Sequence, residues 1–98
     1  MEPCCRSTPA PPHLPSRSEL EARSQLFKAL ADPSRLWLLH RLRDGEVCVC
    51  DLLVDLGLAQ ATLSHHLRVL LAAELVGCRR SGRWSFYQTT PLGLTFLD

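Results

Sequence analysis

Two runs of helical apolar period, separated only by Gly57-Leu58-Ala59, constrain this chain more than any other feature. The first, Asp51 to Leu56, is a helix of about two turns. Gly57 then suits a left-handed turn, where a residue carrying a Cβ is strained. The second, Gln60 to Ala73, places Leu63, Leu67, Leu70 and Leu71 on one face. Gln60, Thr62, Ser64, His65 and Arg68 fall at its exposed positions. Just ahead, Glu46 to Val49 is partly β-branched and reads as a small strand. Cys48 and Cys50 therefore stand at the head of the short helix.

The flanks complete the pattern. Residues 1–17 hold Pro3, Pro9, Pro11, Pro12 and Pro15, which forbids helix or central strand and favours an extended, mobile arm carrying Cys4 and Cys5. The folded part is then residues 18–98. Ser18 and Glu21 have the spacing of a capping box and open the first helix. Leu20, Leu26, Phe27, Leu30 and Ala31 form its apolar stripe. Asp32-Pro33 closes it and starts a second helix, with Asp32 as N-cap, Leu36, Leu38, Leu39 and Leu42 as its apolar residues, and Asp44-Gly45 as its stop. Trp37 reads as core or interface packing. Leu75 to Arg80 and Arg83 to Thr89 read as a β-hairpin with Ser81-Gly82 at the tip. Pro91 opens a last short helix, Leu92 to Leu97, which docks on the rest. The expected fold is mainly α with a β-hairpin wing, a winged helix-turn-helix.

Composition narrows the function classes. With 98 residues the chain makes one domain. The net charge of +1 does not by itself call for nucleic acid. Locally the balance differs: residues 60–88 carry four arginines against one glutamate. No apolar run approaches the roughly 18 residues of a membrane span, and no signal peptide is visible. A cytoplasmic protein without a membrane partner is expected. Five cysteines, an odd number without a secretory signal, argue for reduced thiols in metal or redox chemistry rather than a disulfide scaffold. No nucleophile–base pair and no phosphate loop is present, so an enzyme is not expected.

A helix that reads double-stranded DNA needs short hydrogen-bonding residues on one exposed face, because base edges lie at the floor of the major groove. Gln60, Thr62, Ser64, His65 and Arg68 meet that need. Arg79, Arg80 and Arg83 surround the hairpin tip, where they can meet phosphate or the minor groove. Polar helix faces are also common on ordinary surfaces; the combination with a glycine turn and a basic hairpin favours DNA. His66 is expected to face the scaffold, and His40 and His13 to be structural or solvated.

Cys48 and Cys50 are two apart. On a regular helix they diverge, but across a helix start both can point the same way. Thiolates are soft ligands that select arsenic- or antimony-type semimetals, Zn, Cd, Pb or Cu(I). The helix dipole is expected to help their ionisation. A lone pair two apart reads equally well as small buried side chains. Two thiolates make an incomplete site, and Cys4 and Cys5 are the available complement. Cys78, in a strand, reads as packing.

The segments ALADPSRLWLLHRL, EVCVCDL, QATLSHHLRVL and SGRWSFYQTT, in this order, closely resemble the ArsR/SmtB family of metal-sensing repressors. The resemblance covers about residues 19–90. It implies a homodimer, built through the first and last helices, that represses a resistance operon and leaves operator DNA when an inducer binds. EVCVCDL resembles the cysteine box of the family's arsenic and cadmium/lead sensors, which maps onto Cys48 and Cys50. The recognition helix maps onto Gln60 to Leu70. Cysteine-bearing arms in the family complete the site on the other subunit, a part for Cys4 and Cys5. Three departures stand out. Ala59 replaces a frequent serine N-cap, the last helix lacks the His and acidic pairs of the family's zinc site, and the arm cysteines are adjacent.

The expected function is a transcriptional repressor released by trivalent arsenic or antimony, held by three thiolates from Cys48, Cys50, Cys4 and Cys5. The alternatives are Cd, Pb or Zn held by four thiolates, and a thiol redox switch.

Overall fold

The computed structural model describes residues 12–97 of the chain. In order they form α1 (Arg17–Leu30), α2 (Pro33–Arg41), β1 (Val47–Cys48), α3 (Val49–Leu56), α4 (Gln60–Ala72), β2 (Val76–Ser81), β3 (Trp84–Thr89) and α5 (Pro91–Leu94). The three strands make one antiparallel sheet in the order β1-β3-β2. This is the winged helix-turn-helix expected from the sequence. No helix among the described residues is long and apolar enough to cross a membrane. Cys4, Cys5 and the other prolines of the arm before Pro12 lie outside the described residues.

The core is built almost wholly from leucine. Leu38, Leu39 and Leu42 from α2, Leu52 from α3, and Leu63, Leu67 and Leu70 from α4 are buried together with Ala29, Leu75 and Val76. Ala29 is the one fully buried residue of α1. The expected stripe of that helix divides in two. Leu26 and Leu30 pack on the core, whereas Leu20 and Phe27 are more than half exposed. Helical geometry separates the sets, since positions 20, 27 and 31 share a face that positions 26, 29 and 30 do not.

The first helix begins earlier than Ser18. Ser16 is its N-cap, its hydroxyl accepting from the Glu19 N–H at 3.2 Å. Ser16 and Glu19 have the same spacing as Ser18 and Glu21, and the helix extends back until Pro15 stops it. Asp32 caps α2 as expected, accepting from the Arg35 N–H at 3.1 Å, with Pro33 at the first helical position. Arg35 then joins three helices. Its guanidinium donates to the Ala29 and Lys28 carbonyls at the end of α1, at 2.9 and 3.3 Å, and to His66 Nδ1 on α4 at 3.1 Å. Because a guanidinium only donates, this imidazole nitrogen is the acceptor of the contact.

The turn of the helix-turn-helix follows the sequence. Gly57 has φ +66°, and its N–H returns to the Leu53 carbonyl. The end of α4 is less ordinary. Glu74 takes φ +61° where glycine is usual, and closes a Schellman motif: its N–H reaches Leu71 O and the Leu75 N–H reaches Leu70 O. Thr90 holds this corner, donating its hydroxyl to Glu74 O at 2.7 Å and its N–H to Leu75 O at 3.0 Å.

The hairpin turn is one residue further along than Ser81-Gly82. Ser81 pairs with Trp84, so Gly82 and Arg83 form the tip. Positive φ occurs at Gly82 only, the type II′ pattern that matches strand twist. The last helix is shorter than expected, ending at Leu94, but it docks as expected. A Cβ on Gly93 would lie 2.5 Å from the Leu75 carbonyl oxygen, so only glycine allows this approach.

Candidate metal centre and nucleic-acid interface

The candidate DNA-reading face follows from the period of α4. Leu63, Leu67 and Leu70 point inward, so Gln60, Thr62, Ser64, His65 and Arg68 are exposed. Gln60, Thr62, Ser64 and Arg68 make no side-chain hydrogen bond or ion pair with other described residues. Ala59, the N-cap, offers no side-chain acceptor, which leaves the first-turn amides of the helix without a capping side chain. His65 is exposed and touches the His66 ring, with centroids 5.9 Å apart. His66 faces the scaffold through Arg35, and it lies 4.0 Å from Asp32.

The wing separates its three arginines. Arg80 and Arg83 are exposed and form no ion pair with the described residues. Arg83 leans over the Trp84 ring at 5.7 Å, and Trp84 itself is half exposed. Arg79 differs. Its Nε and Nη2 grip the Glu46 carboxylate at 2.9 Å each, and its guanidinium covers the Phe86 ring at 4.8 Å. The hydrogen bond from Arg79 holds the Glu46 carboxyl below its usual range, and the same contact raises Arg79. Sequence spacing did not reveal this pairing, since 33 residues separate the partners. Arg79 is therefore an engaged cation rather than a free one at the hairpin surface.

The thiol pair lies where strand passes into helix. Cys48 is the last residue of β1 and the N-cap of α3, with extended φ and ψ; Cys50 is in the first turn of α3. Changing from a period of two to a period of 3.6 at this junction brings the two side chains to one side. Their sulfurs are 2.8 Å apart, Cys48 buried and Cys50 exposed. The short helix thus starts two residues earlier than Asp51. The expected easier ionisation does not hold for Cys50. Its hydrogen bond to the Cys48 sulfur is the leading cause of a raised thiol pKa, reinforced by desolvation and by electrostatic repulsion from Cys48 and Asp51. The backbone contribution at the helix start opposes this and is outweighed.

Two sulfurs do not complete a metal site, and the described residues contain no group of three or more His, Cys, Asp or Glu arranged to hold an ion. The chemistry fits part of a soft-ion site: two thiols side by side, one open to solvent. Cys78 is exposed, not packed. It lies opposite Tyr87 on β3 and hydrogen-bonds to the tyrosine. Cys48 lies opposite Phe86, the neighbouring residue of β3, so Cys78 belongs to the other sheet face. Sequence reasoning gave Glu46 and Trp84 no functional part; Glu46 meets Arg79, and Trp84 meets its neighbour Arg83.

Comparison with known proteins agrees with this architecture. Residues 32–77 match the family model described as bacterial regulatory protein, arsR family. The arsenical resistance operon repressor of Staphylococcus xylosus is 47% identical over 75 residues, which are 76% of this chain and 69% of that protein. The SmtB homologue of Synechocystis, a transcriptional repressor, is 41% identical over 76 residues, 78% of this chain and 58% of its own length. The homodimeric winged helix-turn-helix DNA-binding domain of a possible ArsR-family regulator from Mycobacterium bovis superposes with a TM-score of 0.74 at 29% identity, covering 86% of this chain and 80% of that one. The chain belongs to the arsR family of bacterial regulatory proteins, which are winged helix-turn-helix transcriptional regulators and not enzymes.

Proposed function

We propose that the protein is a cytoplasmic, dimeric repressor that binds operator DNA and leaves it when trivalent arsenic or antimony binds Cys48, Cys50 and a third thiolate from Cys4 or Cys5. The observation that carries this reading is the pair of adjacent sulfurs, 2.8 Å apart, at the head of the helix that precedes the recognition helix. Relatives described as arsenical resistance operon repressors support the choice of ion. The exposed apolar residues Leu20 and Phe27 on α1, and Leu92, Leu94 and Phe96 at the chain end, support a dimer formed through these two segments.

The mechanism is a coupling free energy. Cys48 and Cys50 would hold the ion as two soft thiolate donors, and an ion seated between them would push apart sulfurs that now stand 2.8 Å from each other. To serve as ligands both thiols would give up their protons, including the one that Cys50 donates to Cys48. The spread falls on the β1–α3 junction, and α3 packs beside α4 in the common core. An ion that prefers the spread form weakens DNA by the factor by which DNA weakens the ion, typically about 5–150-fold.

Two measurements test the proposal. Under reducing conditions, a native mass spectrum with arsenite shows one arsenic per thiol site, and anisotropy titration of a DNA duplex selected by the protein shows weaker binding once arsenite is added. Unchanged DNA affinity at saturating arsenite, antimonite, cadmium, lead and zinc would falsify the reading. Retention of arsenite against cadmium in competition identifies a three-thiolate site; displacement identifies the four-thiolate alternative. The close sulfurs also favour a second reading, a disulfide switch, in which peroxide releases DNA from ion-free protein while no ion does so.

Arg83 tests the DNA side. With its guanidinium at the hairpin tip and no ion-pair partner among the described residues, Arg83→Ala weakens binding on all sequences. It also lowers the slope of log affinity against log salt by about 0.9, one phosphate contact. The salt series measures this directly, and an unaltered slope removes Arg83 from the interface.

A further inference from the structure

The thiol pair and the wing are joined on one sheet face. Cys48 on β1 is in register with Phe86 on β3, and Phe86 with Arg79 on β2. These three side chains therefore stand in a row across the sheet. Arg79 lies over the Phe86 ring at 4.8 Å and reaches past it to Glu46, two residues before Cys48 and on the same side of the strand. The grip is bidentate, with both contacts at 2.9 Å. Exposed ion pairs are weak in general, but a bidentate arginine fork that also stacks on a ring is held in one geometry.

We propose that the Glu46–Arg79 clamp transmits occupation of the thiol site to the wing, so that ion binding acts on the DNA-facing hairpin as well as on the recognition helix. β1 has only two residues, and its two register pairs with β3 are a narrow attachment. The clamp adds a side-chain attachment from the same segment to the far strand, β2. Spreading the Cys48 and Cys50 sulfurs shifts the β1–α3 junction, and Glu46 carries that shift directly to Arg79 on β2. Glu46 and Arg79 are positioning residues here, and neither is required to touch the ion. The inference rests on the ion-sensing reading proposed above.

The test is Glu46→Gln, which removes the carboxylate charge and one of its two acceptor oxygens while nearly preserving shape. The probes are arsenite, followed by its sulfur charge-transfer absorbance, and a DNA duplex selected by the wild-type protein, followed by anisotropy. In the variant, arsenite affinity and ion-free DNA affinity stay close to wild type. The ion-induced loss of DNA affinity, expected at about 5–150-fold for the wild type, shrinks at least about fivefold. A thermal melt taken alongside shows that the variant is folded. A full ion response in the folded variant overturns the proposal. A gain in DNA affinity with a salt slope steeper by about one also overturns it, because Glu46 would then merely withhold Arg79 from a phosphate. A wild-type protein whose DNA affinity ignores arsenite refutes the ion-sensing reading itself, an outcome visible before the variant is measured.

Discussion

Replacing Cys48 or Cys50 by serine abolishes arsenite-induced release of DNA while leaving ion-free DNA binding within about twofold of wild type, the usual range for a near-isosteric change outside the interface. The two halves of this result have separate causes. Serine keeps a small polar side chain at the head of α3, so the junction that positions the helix survives. Its hydroxyl is a hard, weakly acidic donor and does not replace a thiolate at a soft ion. With one sulfur left at the junction, the two-point attachment that spreads it is gone. The check is a pair of DNA titrations, with and without saturating arsenite, on each variant. Persistence of the full response in both variants would move the sensing site elsewhere, and Cys78 would then be the remaining thiol to examine among the described residues.

Leu63→Ala is expected to destabilise the fold by about 2–5 kcal/mol, the range for truncating a fully buried leucine. Leu63 is entirely buried and lies between Thr62 and Ser64 on α4. A domain of this size commonly holds about 5–15 kcal/mol, so the change removes a large part of the total. Urea unfolding reads it as a lower midpoint with an unchanged slope. The same substitution also loosens the helix that presents the candidate DNA face. DNA affinity should therefore fall even under conditions where the chain remains folded. A loss below about 1 kcal/mol would mean that the site collapses around the smaller side chain, contrary to the close packing of interiors.

Local signals account for much of the fold having been legible. Gly57, Asp32-Pro33 and Pro91 act on their own neighbourhoods, and each stands where its chemistry indicated. The leucine period of α4 gave the inward and outward faces correctly. Errors arose where two equivalent local choices competed. Ser16 and Ser18 each have a glutamate three residues on, and only the reach of Pro15 decides between them. Ser81-Gly82 and Gly82-Arg83 both contain the glycine, and the strand pairing selects the second.

The thiol site was legible as a pair, because strand-to-helix passage reconciles the spacing of Cys48 and Cys50. What was not legible depends on contacts distant in sequence. Arg79 is held by Glu46, a partner 33 residues away in sequence, and Cys78 is exposed although its strand pattern read as packing. The ionisation of Cys50 was misjudged because the helix start is a weaker influence than a sulfur neighbour in direct contact.

The corner at Glu74 has a consequence for how such a protein meets a double helix. Leu75 bonds back to Leu70, and Thr90 ties the returning strand to both Glu74 and Leu75, so the reading helix and the hairpin are hinged at neither end of their connection. Within one chain, the offset between α4 and the hairpin is held by this corner. On the dimer proposed above, tolerance for unequal half-site spacing would come from the seam between two copies, and variants that retune operator length would belong on α1 and the C-terminal turn rather than in the connection itself.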